Sequence, residues 1–175
     1  MYWRGVALSL AAVTLLGCAA TERTGTDFAG MTQKLGPPRA GQARIVVLRE
    51  KAYGGITDAG WDIKLDGGPM SDLKTGTYVY ADRPAGQHQL SATASLFPGV
   101  SQYDVSAQSG RTYFYLVRPS ERAKVLAGMS AAGGVAGLLV GAAVTSGNSN
   151  PGPLDFLALE ETAARQTIAE LRLAQ

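Results

Sequence analysis

Residues 87–96 (QHQLSATASL) alternate without a break: His88, Leu90, Ala92, Ala94 and Leu96 share one face, while Gln87, Gln89, Ser91, Thr93 and Ser95 share the other. A period of two sorts these sets only on an extended strand, and a strand with one dry and one wet face needs a second layer to cover it. Six further runs have the same short β-type character: 43–49, 61–65, 76–82, 101–107, 111–118 and 154–159. Trp61, Ile63 and Leu65 alternate with Asp62 and Lys64, and Tyr103, Val105 and Ala107 are expected to point inward. Asp66-Gly67-Gly68-Pro69, Arg83-Pro84-Ala85-Gly86, Pro98-Gly99 and Gln108-Ser109-Gly110 supply turns between them. The run 111–118 (RTYFYLVR) is apolar and aromatic on both faces, as a central strand covered from two sides must be. Near the C-terminus, Ala164, Ile168 and Leu171 recur at helical spacing within 162–173, and Glu161 stands four residues before Arg165. Seven short strands with one late helix predict a mainly-β fold, a small antiparallel β-sandwich.

One stretch breaks that pattern. Residues 125–144 (VLAGMSAAGGVAGLLVGAAV) contain no charge, and Gly133, Gly137 and Gly141 repeat every four. On a helix these glycines line one stripe where a second backbone can approach closely. The arrangement resembles the glycine zippers of some outer-membrane lipoproteins. A straight helix of that length would measure ~30 Å, about one bilayer core, yet its Ala and Gly content makes insertion marginal. The run is expected either to pack on its own domain or to act as a membrane-associated or oligomer-forming helix. A full crossing would leave 111–118 and 154–159 on opposite sides of a membrane, unable to pair. The preferred expectation is that 154–159 closes the sandwich as its last strand. The apolar helix, inserted at 123–150, then stays on one side.

The 175 residues carry 16 Lys and Arg against 14 Asp and Glu, a balance that makes no electrostatic case for nucleic acid. One His and one Cys fall short of the roughly four N/S ligands of a structural zinc site. No phosphate-binding loop is present, and no cofactor is expected. His88 is the acid–base candidate, with Asp82 or Asp104 as partners on neighbouring strands. Asp62 and Asp66, or Asp58, offer a carboxylate pair, although turn formation and solvated strand edges are the first expectation for them. No serine stands in a nucleophile-elbow pattern. His88 therefore reads first as a hydrogen-bonded edge residue and the chain as non-catalytic, the alternative being a hydrolase that uses His88. Tyr78, Tyr80, Tyr113 and Tyr115 share a face within each of two strands. Core packing is the first expectation for them; an exposed ladder binding glycan or an extended peptide is the second.

The N-terminus sets the compartment. Arg4 precedes an uncharged apolar core, Val6 to Leu16, too short to span a bilayer. The closing Leu15-Leu16-Gly17-Cys18 resembles the lipobox of bacterial lipoproteins. That resemblance implies cleavage between Gly17 and Cys18, a diacylglycerol on the Cys18 thiol and an acylated amino group. Ala19, where an Asp would retain the protein in the inner membrane, points to the outer membrane, facing the periplasm. Three chains at ~0.8 kcal/mol per buried methylene exceed the two-signal threshold for stable anchoring. The lipid uses the only thiol, so no disulfide forms within the chain. The chain then divides into a signal peptide (1–17), lipidated Cys18 with a flexible tether (18–42), and a sandwich domain (43–173) interrupted by 123–150. Its expected partners are the membrane, an envelope protein or cell-wall glycan, and a second copy of itself.

Four stretches carry a family resemblance: GQARIVVLRE (41–50), IKLDG (63–67), LKTGTYVYADRPAGQHQLSA (73–92) and SGRTYFYLVR (109–118). They resemble domain-of-unknown-function family 2846, small bacterial lipoproteins similar to PEGA-type β-sandwich domains. The turn entering a strand at 84–90 (PAGQHQL) is the most specific piece. The resemblance implies a PEGA-like sandwich over 41–118 and 154–173. The family has no established catalytic residues, so no functional residue carries over. The Gly/Ala-rich insertion is a departure from it.

Overall fold

The computed structural model describes residues 25–51, 59–95, 97–145 and 151–174. The expected signal peptide, Gly17, Cys18 and Asp58 lie outside them. The described elements run α1 (Phe28–Leu35), β1 (Gln42–Arg49), β2 (Trp61–Leu65), β3 (Gly68–Leu73), β4 (Thr77–Pro84), β5 (Gly86–Ala94), β6 (Phe97–Ala107), β7 (Thr112–Pro119), α2 (Glu121–Val144), β8 (Leu154–Leu159), α3 (Glu161–Ile168) and β9 (Arg172–Leu173). Five strands form one sheet in the order β8-β7-β1-β4-β9, and four form the other, β3-β2-β5-β6. The protein is mainly β and sandwich-like, as the alternation predicts. One part of that expectation needs correcting: the first sheet is mixed, because β1 runs parallel to β7 and β4 parallel to β9. Alternation reports which face is dry and is silent on strand direction. Parallel neighbours need a long crossover; between β1 and β7 the chain passes through all four strands of the other sheet, β2, β3, β5 and β6, as well as β4.

Parity splits β1 cleanly. Ala43, Ile45 and Val47 face the second sheet, Arg44, Val46 and Leu48 face away, and all six are buried. The same holds in β7, with Tyr115 and Val117 between the sheets and Phe114 and Leu116 on the outer face. A sheet buried on both sides needs two covers. The second sheet is one, contributing Ile63, Leu65, Leu90, Ala92 and Val105. The other is a roof of Phe28, Met31, Ala164, Ile168 and Leu171 over Val46, Leu48, Tyr78 and Phe114.

Two of those five roof residues, Phe28 and Met31, lie in the stretch expected to be tether. The sequence signals of α1 are short but complete. Asp27 accepts from the Gly30 amide at 2.6 Å, Phe28, Met31 and Leu35 recur at i, i+3 and i+7, and Gly36, at φ 70°, ends the helix. Pro37 and Pro38 follow directly and cannot continue the helix. Phe28 meets Tyr78 and Phe114 edge-on, with centroids 5.7 and 5.6 Å apart, and the Tyr78 hydroxyl donates to the Thr26 carbonyl at 3.0 Å. Arg44 fastens the helix end: Nη1 donates to the Gly36 carbonyl at 2.9 Å, while Nε and Nη2 grip Asp82 at 2.7 and 2.8 Å. The Asp82 hydrogen bonds raise the guanidinium pKa against the opposing cost of burial.

Three strand boundaries differ from expectation. Asp66 and Gly67, at φ 54° and 77°, make a two-residue turn of the type hairpins favour, so the chain resumes as edge strand β3 at Gly68. Pro98-Gly99 lies inside β6, another edge strand, where a missing N–H is tolerated. The strand 154–159 is not the last, because β9 follows α3 and extends the sheet beyond β4.

Phe28→Ala removes the aromatic keystone of the roof. It should cost about 3 kcal/mol, read as a lower urea midpoint with an unchanged slope. A segment that merely tethered would leave the midpoint where it was.

Candidate functional site

The Gly-rich insertion is a helical hairpin, not the single ~30 Å helix expected from its length. At Gly134 the backbone adopts φ 57° and ψ −139°, outside any helix and open chiefly to glycine. The arms 121–133 and 135–144 fold back on each other. Arg122 Nε donates to Thr145 Oγ1 at 3.0 Å, though 23 helical steps would separate them by ~35 Å. A Cβ on Gly137 would collide with the Met129 carbonyl, and one on Gly141 would stand 2.9 Å from Leu126 Cδ2. Two glycines of the stripe thus serve close approach within the molecule. Around Gly133, the third, a Cβ would meet nothing within 4 Å. The pair Gly133-Gly134 carried the missed signal, since adjacent glycines in an apolar helix favour a reversal. β7 and β8 pair antiparallel, in agreement with the preferred pairing of 111–118 with 154–159. Among the described residues no helix is long and apolar enough to cross a membrane.

The base of the hairpin is clamped. Ser120 Oγ accepts from the Ala123 amide at 3.1 Å and donates to the Gly152 carbonyl at 3.0 Å. Its own amide donates to the Pro153 carbonyl at 2.9 Å. Buried Arg122 also donates to the Pro98 carbonyl at 2.6 Å, and Ser101 Oγ accepts from the Leu154 amide at 2.8 Å. The tip is bare by contrast. Val135, Leu139 and Val140 are 75%, 66% and 53% exposed, beside exposed Ala131, Ala132 and Ala136.

His88 sits in a different node. Its Nδ1 lies 2.8 Å from Asp66 Oδ2 and its Nε2 2.8 Å from the Pro84 carbonyl. Both partners only accept, so the doubly protonated ring satisfies both and a neutral ring satisfies one. Of the carboxylates named from sequence, Asp66 is the partner. Asp82 holds Arg44, and Asp104 accepts from Gln89 Nε2 at 3.2 Å. The tight β2–β3 turn brings Asp66 to His88, because Leu65 pairs with Leu90 across β2 and β5. Burial alone would raise the Asp66 carboxyl. The Gln89 amide, His88 and the Arg83 charge outweigh it and hold the group below its ordinary value. Asp62 is elsewhere, 3.3 Å from Lys64. No group of three or more His, Cys, Asp or Glu among the described residues is placed to hold a metal.

The tyrosines divide between two cores. Tyr78 and Tyr80 lie on the outer face under the helices, and Tyr113 and Tyr115 lie between the sheets, with β1 separating their strands. They form no common ladder. Burial pushes Tyr78 and Tyr115 up to about 12, so both stay neutral. A surface the sequence did not disclose is a cleft of about 770 Å³ between α1, the start of α3 and the start of β7. Phe28, Pro37, Arg111, Tyr113, Glu161 and Arg165 line it. Thr32 Oγ1 is buried there with no hydrogen-bond partner among the described residues, and Arg111 is exposed.

Fold and site together define a mainly-β, sandwich-like domain that carries a helical hairpin between two neighbouring strands. The profile of the family described as protein of unknown function (DUF2846) matches residues 39–129, and the chain belongs to that family. The match starts just before β1 and stops in the first arm of α2. No curated protein matches the chain.

Two outcomes follow from this geometry. Gly137→Ala should lower stability by about 1–3 kcal/mol, since a methyl there must displace backbone. Gly133→Ala should be neutral or gain up to ~1 kcal/mol from helix propensity; thermal unfolding of both variants distinguishes an internal contact from an external stripe that needs all three glycines. For Asp66, a folded pKa below the unfolded 3.8 means its stabilisation is present above that pH and lost as pH falls through the folded value. Asp66→Asn should remove this acid-side loss in unfolding curves taken between pH 5 and about 2.

Proposed function

We propose that the protein is a lipoprotein of the bacterial cell envelope, anchored through acylated Cys18 in the outer membrane and facing the periplasm. Its sandwich domain acts as a non-catalytic binding or structural module. The observation that carries this reading is Leu15-Leu16-Gly17-Cys18 closing an uncharged apolar core, seven residues before Gly25, which already packs against Leu173 of β9. A lipid at Cys18 would hold the folded domain close to the membrane. The non-catalytic reading is supported by His88, both of whose nitrogens already face acceptors. The use of Gly137 and Gly141 inside the hairpin weighs against assembly through the glycine stripe.

For a partner, the cleft beside α1 suits the reading better than the divided tyrosines. It sets apolar Phe28, Pro37 and Tyr113 beside Arg111 and Arg165 and the carboxylates Glu160 and Glu161, a mixed setting for an envelope protein or a cell-wall glycan.

Mass spectrometry of the membrane fraction should find an N-terminal lipopeptide that begins at Cys18. A mature N-terminus elsewhere, or an unmodified Cys18, overturns the anchor. A hydrolase panel on the full chain should give no activity that His88→Ala abolishes while the fold stays intact. A photo-crosslinker at Arg111 should capture a partner in intact cells that the same reagent at Lys64 does not.

A further inference from the structure

We infer that the α2 hairpin is a second membrane contact: its bare tip, formed by Ala131, Ala132, Val135, Ala136, Leu139 and Val140, seats in the lipid leaflet that holds the Cys18 acyl chains. The inference rests on the lipoprotein reading. The occupant is a lipid surface for three reasons that the fold supplies together.

The first is chemistry. The tip belongs to a run of twenty uncharged residues, and its exposed Val135, Leu139 and Val140 form an apolar end on an otherwise clamped element. The second is placement. The hairpin leaves the sheet where Pro119 of β7 pairs with Leu154 of β8. Leu116 lies level with Leu48, Leu48 with Tyr78, and Tyr78 with Leu173, whose amide donates to the Thr26 carbonyl. Thr26 is therefore at the hairpin's end of the sheet, about 10 Å along the strands and three strand spacings, ~14 Å, across it. Gly25 and Thr26, where the described chain begins, therefore lie near the hairpin base.

The third is reach. Seven peptide steps from Cys18 to Gly25 extend at most ~25 Å. The hairpin arms, 10–13 residues each, are about 15–20 Å long and match that gap. Val and Leu each favour a bilayer by only a few tenths of a kcal/mol and Ala and Gly by less, so the tip would bind weakly alone. A short tether makes its contact intramolecular, at an effective concentration in the millimolar range. The hairpin then orients the domain that the lipid anchors, with its tip ~5–10 Å into the headgroup boundary.

The test uses the full acylated chain in phosphatidylethanolamine/phosphatidylglycerol vesicles, with or without brominated acyl chains. Acylation blocks Cys18, so Val135→Cys provides one thiol for a polarity-sensitive fluorophore. Gln108→Cys, exposed at the opposite end of β7, is the control. The expected result is blue-shifted emission at 135, mostly quenched by bromine, with emission at 108 unchanged. Adding Leu139→Glu should return the 135 signal to its value in water while the melting temperature holds. Vesicle-bound protein whose 135 site escapes quenching, as the 108 site does, overturns the inference and leaves the lipoprotein reading standing. A blue shift insensitive to bromine, with cross-linked dimers, assigns the tip to a second copy and overturns it too. Protein that fails to sediment with vesicles, or a wild-type chain whose Cys18 takes the label, removes the anchor on which the inference depends.

Discussion

The parallel pairing of β1 with β7 is the contact on which the rest of the structure depends. It sets Arg44 to Leu48 beside Thr112 to Leu116 in register, two segments with large side chains on both faces. Neither can tolerate water on either side, so the sheet they centre needs a cover on each. The second sheet supplies one through its alternating strands. The outer cover has to come from elsewhere, which is why the short α1 and α3 dock there rather than standing in solvent. Isolated eight-residue helices have little stability in water. The apolar floor of Val46, Leu48, Tyr78 and Phe114 holds these two in place.

A charge in that floor shows how closely the roof is fitted. Arg44 shares parity with Val46 and Leu48, and its side chain is only 4% exposed. A lone buried guanidinium would be strongly destabilising. Here its donors reach both Asp82 oxygens and the carbonyl that closes α1, and its face stacks over Tyr80 at 5.2 Å. The same residue that satisfies the strand therefore also fixes where the helix ends. Its contribution is positional more than energetic, since a well-packed apolar group often serves stability as well as a buried ion pair.

What the sequence disclosed follows from which physical signals are local. The two-period of 87–96 and the two-faced run 111–118 were legible because burial writes directly into side-chain pattern. Parity within β4 and β7 was legible too, but not which parity faces the second sheet, since both faces of these strands are apolar. Hence the tyrosine pairs went to opposite cores. Strand direction left no local trace, and β9, two residues long, exists only through its neighbour β4. The three apolar residues of α1 carried helical spacing that was sparse enough to pass for a tether. His88 and Asp66 were visible as residues, but their meeting needed the β2–β5 register, which no spacing along the chain encodes.

The hairpin raises a different question of economy in the fold. β7 and β8 are antiparallel neighbours that a few residues would join, yet the chain between them runs from Ser120 to Pro153. A long connection is cheap in entropy, because closure cost grows only logarithmically with length. The larger risk is that the insertion pulls on the strands it interrupts. The clamp at Ser120, Arg122, Ser101 and Gly152 prevents this by tying both ends of the insertion to each other and to β6. With the base rigid, the sandwich does not depend on what the tip does. The tip can then keep apolar side chains that contribute nothing to the core. Side chains kept exposed at a cost in water, on a base built to hold them steady, are what a contact outside the domain requires.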